Sequence, residues 1–218
     1  YSPNFDSYEI NIGASGSISI TGTLEMAGSV LVAAGGTASI YDTTLEVTGS
    51  GNTLHVLSDG NVNLGRAAIA NGHASYPDGQ RYQQGGLLSA EAKVHLQAQG
   101  VVDLGSAVQI FTTGENSQVV IEASSVDLIG AIYAGGSLGG DGSTIEWQQT
   151  GATINIAASE LVAIGGLGVD NDTGQQITRG GVIQATGSVG IMANGGDSDT
   201  AIAINALSSI KTDATGSG

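Results

Sequence analysis

Apolar residues alternate with small or polar residues along most of the chain, in short runs separated by glycine-rich turns. In residues 125–136, SVDLIGAIYAGG, Val126 and Leu128 fall on one side of an extended segment and Asp127 falls on the other. Alternation of this kind over four or five positions is typical of a half-buried strand. Related phrases recur at residues 61–72, 101–114 and 160–166. The recurrence predicts a repeat protein rather than a globular enzyme.

Three series of apolar pairs, each spaced i and i+2, can be aligned with one another and predict three strands in every repeat. The first series is Leu54/Val56, Val94/Leu96, Val119/Ile121, Ile154/Ile156 and Val189/Ile191. The second is Val62/Leu64, Val102/Leu104, Val126/Leu128, Val162/Ile164 and Ile202/Ile204. The third and least regular is Leu45/Val47, Leu88/Ala90, Val108/Ile110, Ile145/Trp147 and Ile183/Ala185. We expect these side chains to form aliphatic ladders along one core.

The spacing within the second series sets the length of the repeat. Ile40 and Leu64 are 24 residues apart, and Leu64 and Leu104 are 40 apart. A plain coil therefore has about 24 residues, and the excess must leave the coil as loops. The polar, glycine-rich stretches that fit these loops are residues 71–86, 135–143, 165–181 and 194–200. We predict an all-β fold, a parallel β-solenoid (β-helix) with three strands per coil and loops inserted at its corners.

The pattern divides the chain into one large unit with two short flanks. Residues 1–7 have no periodicity and are predicted to be a lead-in segment, residues 8–211 form a single solenoid domain, and residues 212–218 are a polar linker. Neither end of the solenoid has an evident cap. Because open strand edges pair readily with other strands, we expect further coils or identical chains to stack on the ends. The start at Tyr1 is typical of a chain cut from a longer protein.

Composition narrows the functions that such a solenoid could serve. The chain has 20 acidic and five basic residues and a formal net charge of −15, and its basic residues are scattered. Nucleic acids and anionic membranes require clustered Lys and Arg, so we expect neither as a partner. Cysteine is absent, which excludes disulfides and thiolate metal sites. No HExxH, P-loop or Rossmann fingerprint is present, and we expect no enzymatic activity.

Two aspartates are the strongest candidates for chemistry on the outer surface. The alternation places Asp103 and Asp127 outward on adjacent coils, ~5 Å apart. Like charges at that distance are expected to raise one pKa or to attract a cation. Three hypotheses remain open: a solvated acidic ladder, a metal site, and the carboxylate pair of a retaining glycosidase acting on polysaccharide. Few aromatic residues are available to stack on sugar rings.

The histidines form a second candidate group. His55 and His95 are predicted to face outward on consecutive coils, where two imidazoles could bind a transition metal. A third ligand is missing, because Val120 occupies the next position of that column. A stacked surface pair is the alternative interpretation. His73 lies in a predicted loop.

Acidic loops provide candidate calcium ligands, and calcium is the one cofactor that the sequence suggests. Asp170 and Asp172, in GVDNDTG, have the spacing of the first ligands of a calcium loop. Asp197 and Asp199, in GGDSD, form a second acidic cluster. The acidic residue that normally completes such a site is absent from the first loop, and the aspartate spacing of the second differs from that of a calcium loop.

The longest predicted loop concentrates aromatic and charged residues in a chain that has few of either. It contains Tyr76, Asp78, Arg81 and Tyr82. Loops on a rigid scaffold often carry binding function, and Tyr and Arg are favoured at contacts. These four residues are therefore candidates for contact with a partner, with packing of the loop on the solenoid wall as the alternative.

The repeat style also resembles that of a known group of proteins. Phrases such as SVDLIGAIYAGG, ATINIAASELVAIGG and GGVIQATGSVGIMANGG are similar to the β-solenoid regions of large bacterial surface proteins, the filamentous haemagglutinin-like adhesins. The resemblance covers residues 8–211 and implies a secreted, rod-shaped protein at the bacterial cell surface. It also implies an adhesive or structural role, with a host surface, an environmental surface or a glycan as the partner.

Overall fold

The computed structural model describes residues 8–65, 68–70, 73–75, 85–105, 107–138, 144–147, 151–169, 176–196 and 200–212, and their regular elements are β-strands. These residues contain no helix with the length and apolar character needed to span a membrane. The strands are β1 (Ile10–Ala14), β2 (Ile18–Ala27), β3 (Val30–Ala34), β4 (Ala38–Thr48), β5 (Thr53–Ser58), β6 (Val62–Leu64), β7 (Ala68–Ala70), β8 (His73–Ser75), β9 (Gly86–Ala90), β10 (Lys93–Ala98), β11 (Val101–Leu104), β12 (Val108–Thr112), β13 (Gln118–Leu128), β14 (Ala131–Ala134), β15 (Gly136–Leu138), β16 (Ile145–Trp147), β17 (Thr153–Ile164), β18 (Gly166–Val169), β19 (Gln176–Arg179), β20 (Val182–Ala185), β21 (Val189–Ala193), β22 (Ile202–Ile204) and β23 (Ser209–Lys211).

The chain passes through three faces in a fixed order and repeats this path from coil to coil, which makes the fold a parallel β-solenoid. The first face contains β1, β3, β5, β10, the N-terminal parts of β13 and β17, and β21. The second contains the N-terminal parts of β2 and β4, β6, β11, the C-terminal parts of β13 and β17, and β22. The third contains the C-terminal parts of β2 and β4, β9, β12, β14, β20 and β23.

Parallel pairing keeps equivalent residues of successive coils in register. On the second face Val62 pairs with Val102, Val102 pairs with Val126, and Val126 pairs with Val162. On the first face Leu54 pairs with Val94 in the same way. The first two predicted series of inward pairs are therefore confirmed, and they form ladders of aliphatic side chains that are buried in every coil before the last.

The third predicted series is out of register by two residues in the fourth coil. Val108 and Ile110 do point into the core, but Leu88 pairs with Ile110 and Ala90 with Thr112, so the predicted pair is aligned two residues too early and the coil has a third inward residue, Thr112. Thr112 is the polar residue among these three inward positions. In the structure its hydroxyl has a partner inside the core, since Ser117 Oγ donates to Thr112 Oγ1 over 2.9 Å and both residues are buried.

The same series is wrong again in the fifth coil, where Ile145 and Trp147 were assigned to the core. The third face continues instead through Ile132 and Ala134, which pair with the preceding coil. Trp147 pairs in antiparallel fashion with Gly136, outside the solenoid. The error arises because alternation alone does not distinguish a core strand from a strand in an inserted hairpin.

Insertions leave the solenoid at its corners, as the coil spacing predicted. The pairs β7–β8 and β18–β19 follow second-face strands, and β15–β16 follows a third-face strand; each is an antiparallel hairpin. Residues 194–201 join β21 to β22, and they include the insertion predicted at residues 194–200. The insertion predicted at residues 135–143 is longer than expected and extends to Trp147. The prediction was too short since it placed Ile145 and Trp147, which form the second strand of the hairpin, in the core.

Glycines stack at the corner between the first and second faces. The Gly60 amide donates to Gly36 O over 3.1 Å, and the Gly100 amide donates to Gly60 O over 2.9 Å. A Cβ added to Gly60 would lie 3.1 Å from the carbonyl carbon and oxygen of Gly36. Such separations are too short for ordinary carbon contacts. Glycine at this corner therefore allows a close approach of successive coils that a larger residue would meet only by a small backbone shift.

The apolar core is covered in the middle of the stack and open at the last described coil. Ile202, Ile204 and Ile210 are 40%, 56% and 36% exposed. Their register partners one coil earlier are all fully buried: Val162, Ile164 and Ile183. At the first coil Ile18 and Ile20 are only 9% and 7% exposed. The final coil thus presents an apolar edge that has the composition of the core.

Candidate functional sites on the outer faces

Asp103 and Asp127 occupy neighbouring rungs of the second face, as predicted. Asp103 pairs with Asn63 on one side and with Asp127 on the other, and Ala163 follows Asp127. Both aspartates are half-buried. Because parallel strands lie ~4.8 Å apart, the two carboxylates are close enough to act on one ligand or one cation.

Within the described ranges, no group of three or more His, Asp or Glu side chains is arranged to hold a metal ion. Asp103 and Asp127 therefore form a two-carboxylate site whose register neighbours are an amide, Asn63, and a methyl group, Ala163. Two carboxylates ~5 Å apart match the separation used in retaining glycosidases. The pair thus has a geometry compatible with all three of its predicted roles: a solvated acidic ladder, cation contact and glycan hydrolysis.

His55 and His95 are stacked on the first face. Their ring centroids are 4.3 Å apart and their planes differ by 6°. Tyr8 Oη hydrogen-bonds to His55 Nδ1 over 2.8 Å, and His95 Nε2 donates to Glu122 Oε2 over 3.1 Å. The four side chains form a continuous polar row across the first face.

Burial governs the protonation of both imidazoles. Desolvation, and secondarily the neighbouring His95, lowers the pKa of His55 to about 4. Desolvation also lowers the pKa of His95, with Lys93 adding to the effect and Glu122 opposing it. A neutral, stacked pair is therefore the stable form at neutral pH.

The stacked geometry argues against a metal chelated by both histidines. The lone pair of each imidazole nitrogen lies in the plane of its own ring, so two parallel rings cannot both point at an ion between them. The column continues through Val120, which has no ligand atom on its side chain. Of the two interpretations of the sequence, the stacked pair is the one the geometry favours.

An aromatic cluster covers part of the third face. Phe111 and Tyr133 are register partners with ring centroids 5.1 Å apart, and Trp147 meets Tyr133 edge-on at 6.3 Å. Phe111 points outward between the inward Ile110 and Thr112, yet it is only 2% exposed. Burial raises the pKa of Tyr133. The cluster attaches the hairpin β15–β16 to the solenoid.

Sequence reasoning missed this cluster and the row through Tyr8 and Glu122. The signal for the cluster was present, because aligning Ile110 with Ile132 places Phe111 beside Tyr133. The correct third-face register was the missing step. For Tyr8 and Glu122 no signal existed, since their contacts depend on side-chain reach across coils.

A short sequence in the same hairpin has the spacing of a hydrolase nucleophile. Residues 135–139 read GGSLG, which matches the GxSxG pattern. That pattern needs its serine on a turn between a strand and a helix. Ser137 lies instead within β15, opposite Glu146 in an antiparallel pair. The context of a nucleophile elbow is therefore lacking at Ser137.

A shallow groove runs along the third face beside the end of the first insertion. Its volume is about 380 Å³, and Thr23, Thr44, Leu87 and Gln109 line it. The first three belong to successive coils, and Gln109 continues the same column. Hydroxyl and amide groups dominate this surface, and it was not foreseen from the sequence.

The loop candidates lie outside the described residues. This applies to the calcium candidates Asp170, Asp172, Asp197 and Asp199 and to the contact candidates Tyr76, Asp78, Arg81 and Tyr82. Their predicted roles therefore stay predictions. The positions of the loops in the chain are known from the strands that flank them.

Comparisons with known proteins return no relative: no protein-family model, curated protein or solved structure matches the chain.

Proposed function

We propose that this chain is a non-catalytic structural segment of an extracellular bacterial surface protein. It acts as a rigid rod or filament building block that stacks end to end and presents its inserted loops to a partner. Its repeat phrases resemble those of filamentous haemagglutinin-like adhesins, which supports the cell-surface setting. The observation that carries the proposal is the open apolar edge of the last coil, where Ile204 is 56% exposed.

The physical argument for stacking rests on strand edges and apolar area. An unpaired parallel edge offers N–H and C=O groups that another strand can satisfy. Covering Ile202, Ile204 and Ile210 would remove apolar surface from water at roughly 25 cal/mol per Å². Solenoid repeats gain stability from each neighbour in the same way. An added coil therefore continues a favourable series.

In this proposal the inserted loops form the surface that contacts the partner. They leave the solenoid at corners, so their sequences can differ without disturbing the aliphatic ladders. The residues 76–82 loop, with its tyrosines and arginine, is the proposed contact for a host surface, an environmental surface or a glycan. The net charge of −15 keeps the rod soluble and disfavours nucleic acid.

Sedimentation velocity and electron microscopy across concentrations test the stacking. We expect rods whose length grows with concentration, and we expect Ile204→Glu to abolish growth by placing a charge in the apolar edge. The matched control is Leu167→Glu, because Leu167 is 55% exposed but lies on the hairpin β18–β19. Compact monomers of the parent chain at every concentration would remove the proposal.

A second candidate function is hydrolysis of polysaccharide by Asp103 and Asp127, and their pairing on adjacent rungs favours it. A panel of glycans assayed for new reducing ends would detect such activity. Asp103→Asn and Asp127→Asn should each abolish it, whereas Asp59→Asn, an exposed control, should not. Absence of activity in the parent, or its survival in both variants, excludes the enzyme.

A further inference from the structure

On the third face, residues that point outward at equivalent positions of successive coils form a column along the axis. One such column begins with an acidic residue and ends with a basic residue. Glu25 stands on the first coil and Lys211 on the last, and both are exposed. In-register pairings connect them through every intervening coil, by way of Glu46, Ser89, Phe111, Tyr133 and Gln184. A second copy translated along the axis would therefore bring its Glu25 next to Lys211 of the first.

The outward columns of the other two faces also end in compatible residues. On the second face Ser19 starts the column that Ala203 ends, and both are small. On the first face Gly13 starts the column that Met192 ends. Met192 is 69% exposed, and a side-chain atom at Gly13 would meet only Ala33 O within 4 Å. The long Met side chain thus has space over Gly13.

We propose that a second copy of this chain docks head to tail on the last coil, in register, with Lys211 against Glu25. The inference rests on the proposed end-to-end stacking and specifies its polarity. Translation keeps all strands parallel and joins unlike charges. Opposed ends would instead bring together two ends that each carry Glu25, or two that each carry Lys211, and would make the new pairing antiparallel.

The contact between Lys211 and Glu25 would contribute more to the specificity of stacking than to its affinity. Two copies with a net charge of −15 repel each other at long range, and salt screens that repulsion. Glu25 and Glu46 are like charges on adjacent rungs, so a lysine beside Glu25 relieves local repulsion. An exposed ion pair contributes little affinity, but a like-charge pair in its place discriminates against the wrong contact.

Charge reversal tests the pair directly. Lys211→Glu and Glu25→Lys should each weaken assembly about tenfold, because each creates a like-charge contact. The double variant has the parent's net charge and should assemble like the parent. A mixture of the two single variants should also assemble, since each supplies the complement of the other. Glu115→Lys, an exposed reversal in mid-chain, is the control for net charge.

Cysteine cross-linking tests the polarity, because the chain has no cysteine of its own. Neighbouring strands lie ~4.8 Å apart, within the Cα separation of a disulfide. The double variant Ser19→Cys and Ala203→Cys should form a covalent ladder on oxidation. Either single variant should remain uncross-linked, and a mixture of the two should stop at dimers.

The outcomes separate this inference from the function on which it rests. A monomeric parent overturns the stacking itself. An assembling parent that ignores both charge reversals, or that cross-links through Ser19→Cys alone, keeps the stacking and overturns the head-to-tail register. A reversal effect rescued by the double variant, together with a ladder from the cysteine pair, supports the inference.

Discussion

His55 lies face to face with His95 on the neighbouring coil, 4.3 Å from ring centre to ring centre. His55 is 3% exposed, so a positive charge on its ring would be poorly hydrated and close to a second imidazole. The stacked pair is consequently stable only when both imidazole rings are neutral. Acid is the condition that should disturb it.

We predict that the solenoid loses stability as pH falls from about 6.5 to about 4. The folded-state pKa of His55 is lowered from 6.5 to about 4, so protonation favours the unfolded chain throughout that window. The full loss from His55 is about 3 kcal/mol. Urea midpoints at a series of pH values measure it. His55→Leu should flatten the curve in this window, and an identical pH profile for parent and variant would contradict the assignment.

The buried hydroxyl pair in the fourth coil predicts a non-additive mutant cycle. Thr112→Val removes the acceptor of the Ser117 hydroxyl and should cost about 1–3 kcal/mol, because a buried donor loses its partner. Adding Ser117→Ala should recover much of that loss. Chemical denaturation of the three variants gives the coupling energy. Simple addition of the two single effects would show that the hydrogen bond is unimportant.

The stacking of glycines at the corners predicts that two Gly→Ala substitutions differ in their effect on stability. Gly60→Ala should cost roughly 1–3 kcal/mol, because the new methyl group meets the Gly36 backbone at 3.1 Å. Gly16→Ala should be close to neutral, since nothing lies within 4 Å of the added carbon. Melting curves of dilute protein compare the two. Equal destabilisation would argue against close packing as the reason for glycine.

The only tryptophan reports on the hairpin β15–β16. Tyr133→Ala removes the ring that Trp147 contacts and should shift its fluorescence emission to the red. Circular dichroism should change little, because the aliphatic ladders do not include Tyr133. Tyr133→Phe should keep the parent emission, and Tyr41→Ala serves as a remote control. Unchanged emission in Tyr133→Ala would contradict the docking.

Calcium binding by the acidic loops predicts a melting temperature that responds to the ion. Millimolar calcium should raise it and chelator should lower it, because a ligand of the folded state stabilises by mass action. Asp170→Asn combined with Asp172→Asn should remove the response if the GVDNDTG loop is the site. The pair Asp197→Asn and Asp199→Asn tests the other loop. A melting temperature independent of both additions excludes calcium.

Two of the three faces were predictable because each of their coils has an inward pair of aliphatic residues at i and i+2. Val126 and Leu128 read as a core pair in the sequence and are a core pair in the structure. The third face was harder, since its inward positions include Thr112 and Ala134. Small and polar residues weaken the alternation on which the prediction depends.

Contacts between side chains on the outer surface were predictable only where they follow from the register of neighbouring strands. The pairing of Asp103 with Asp127 needed nothing more than correct alignment of Leu104 with Leu128. The hydrogen bond from Tyr8 to His55 spans 47 positions in sequence and depends on one side chain reaching over an intervening coil. Contacts of that kind leave no periodic trace in the chain.

The open last coil also implies a direction in which the fold opens. The first and last described coils each pair with one neighbouring coil, and the last is the more exposed of the two, with Ile204 and Met192 56% and 69% exposed. Amide hydrogens there should exchange fastest, and protection should rise inward coil by coil. Local unfolding would then begin at the last coil, and a partner bound to that coil would protect the coils behind it from opening.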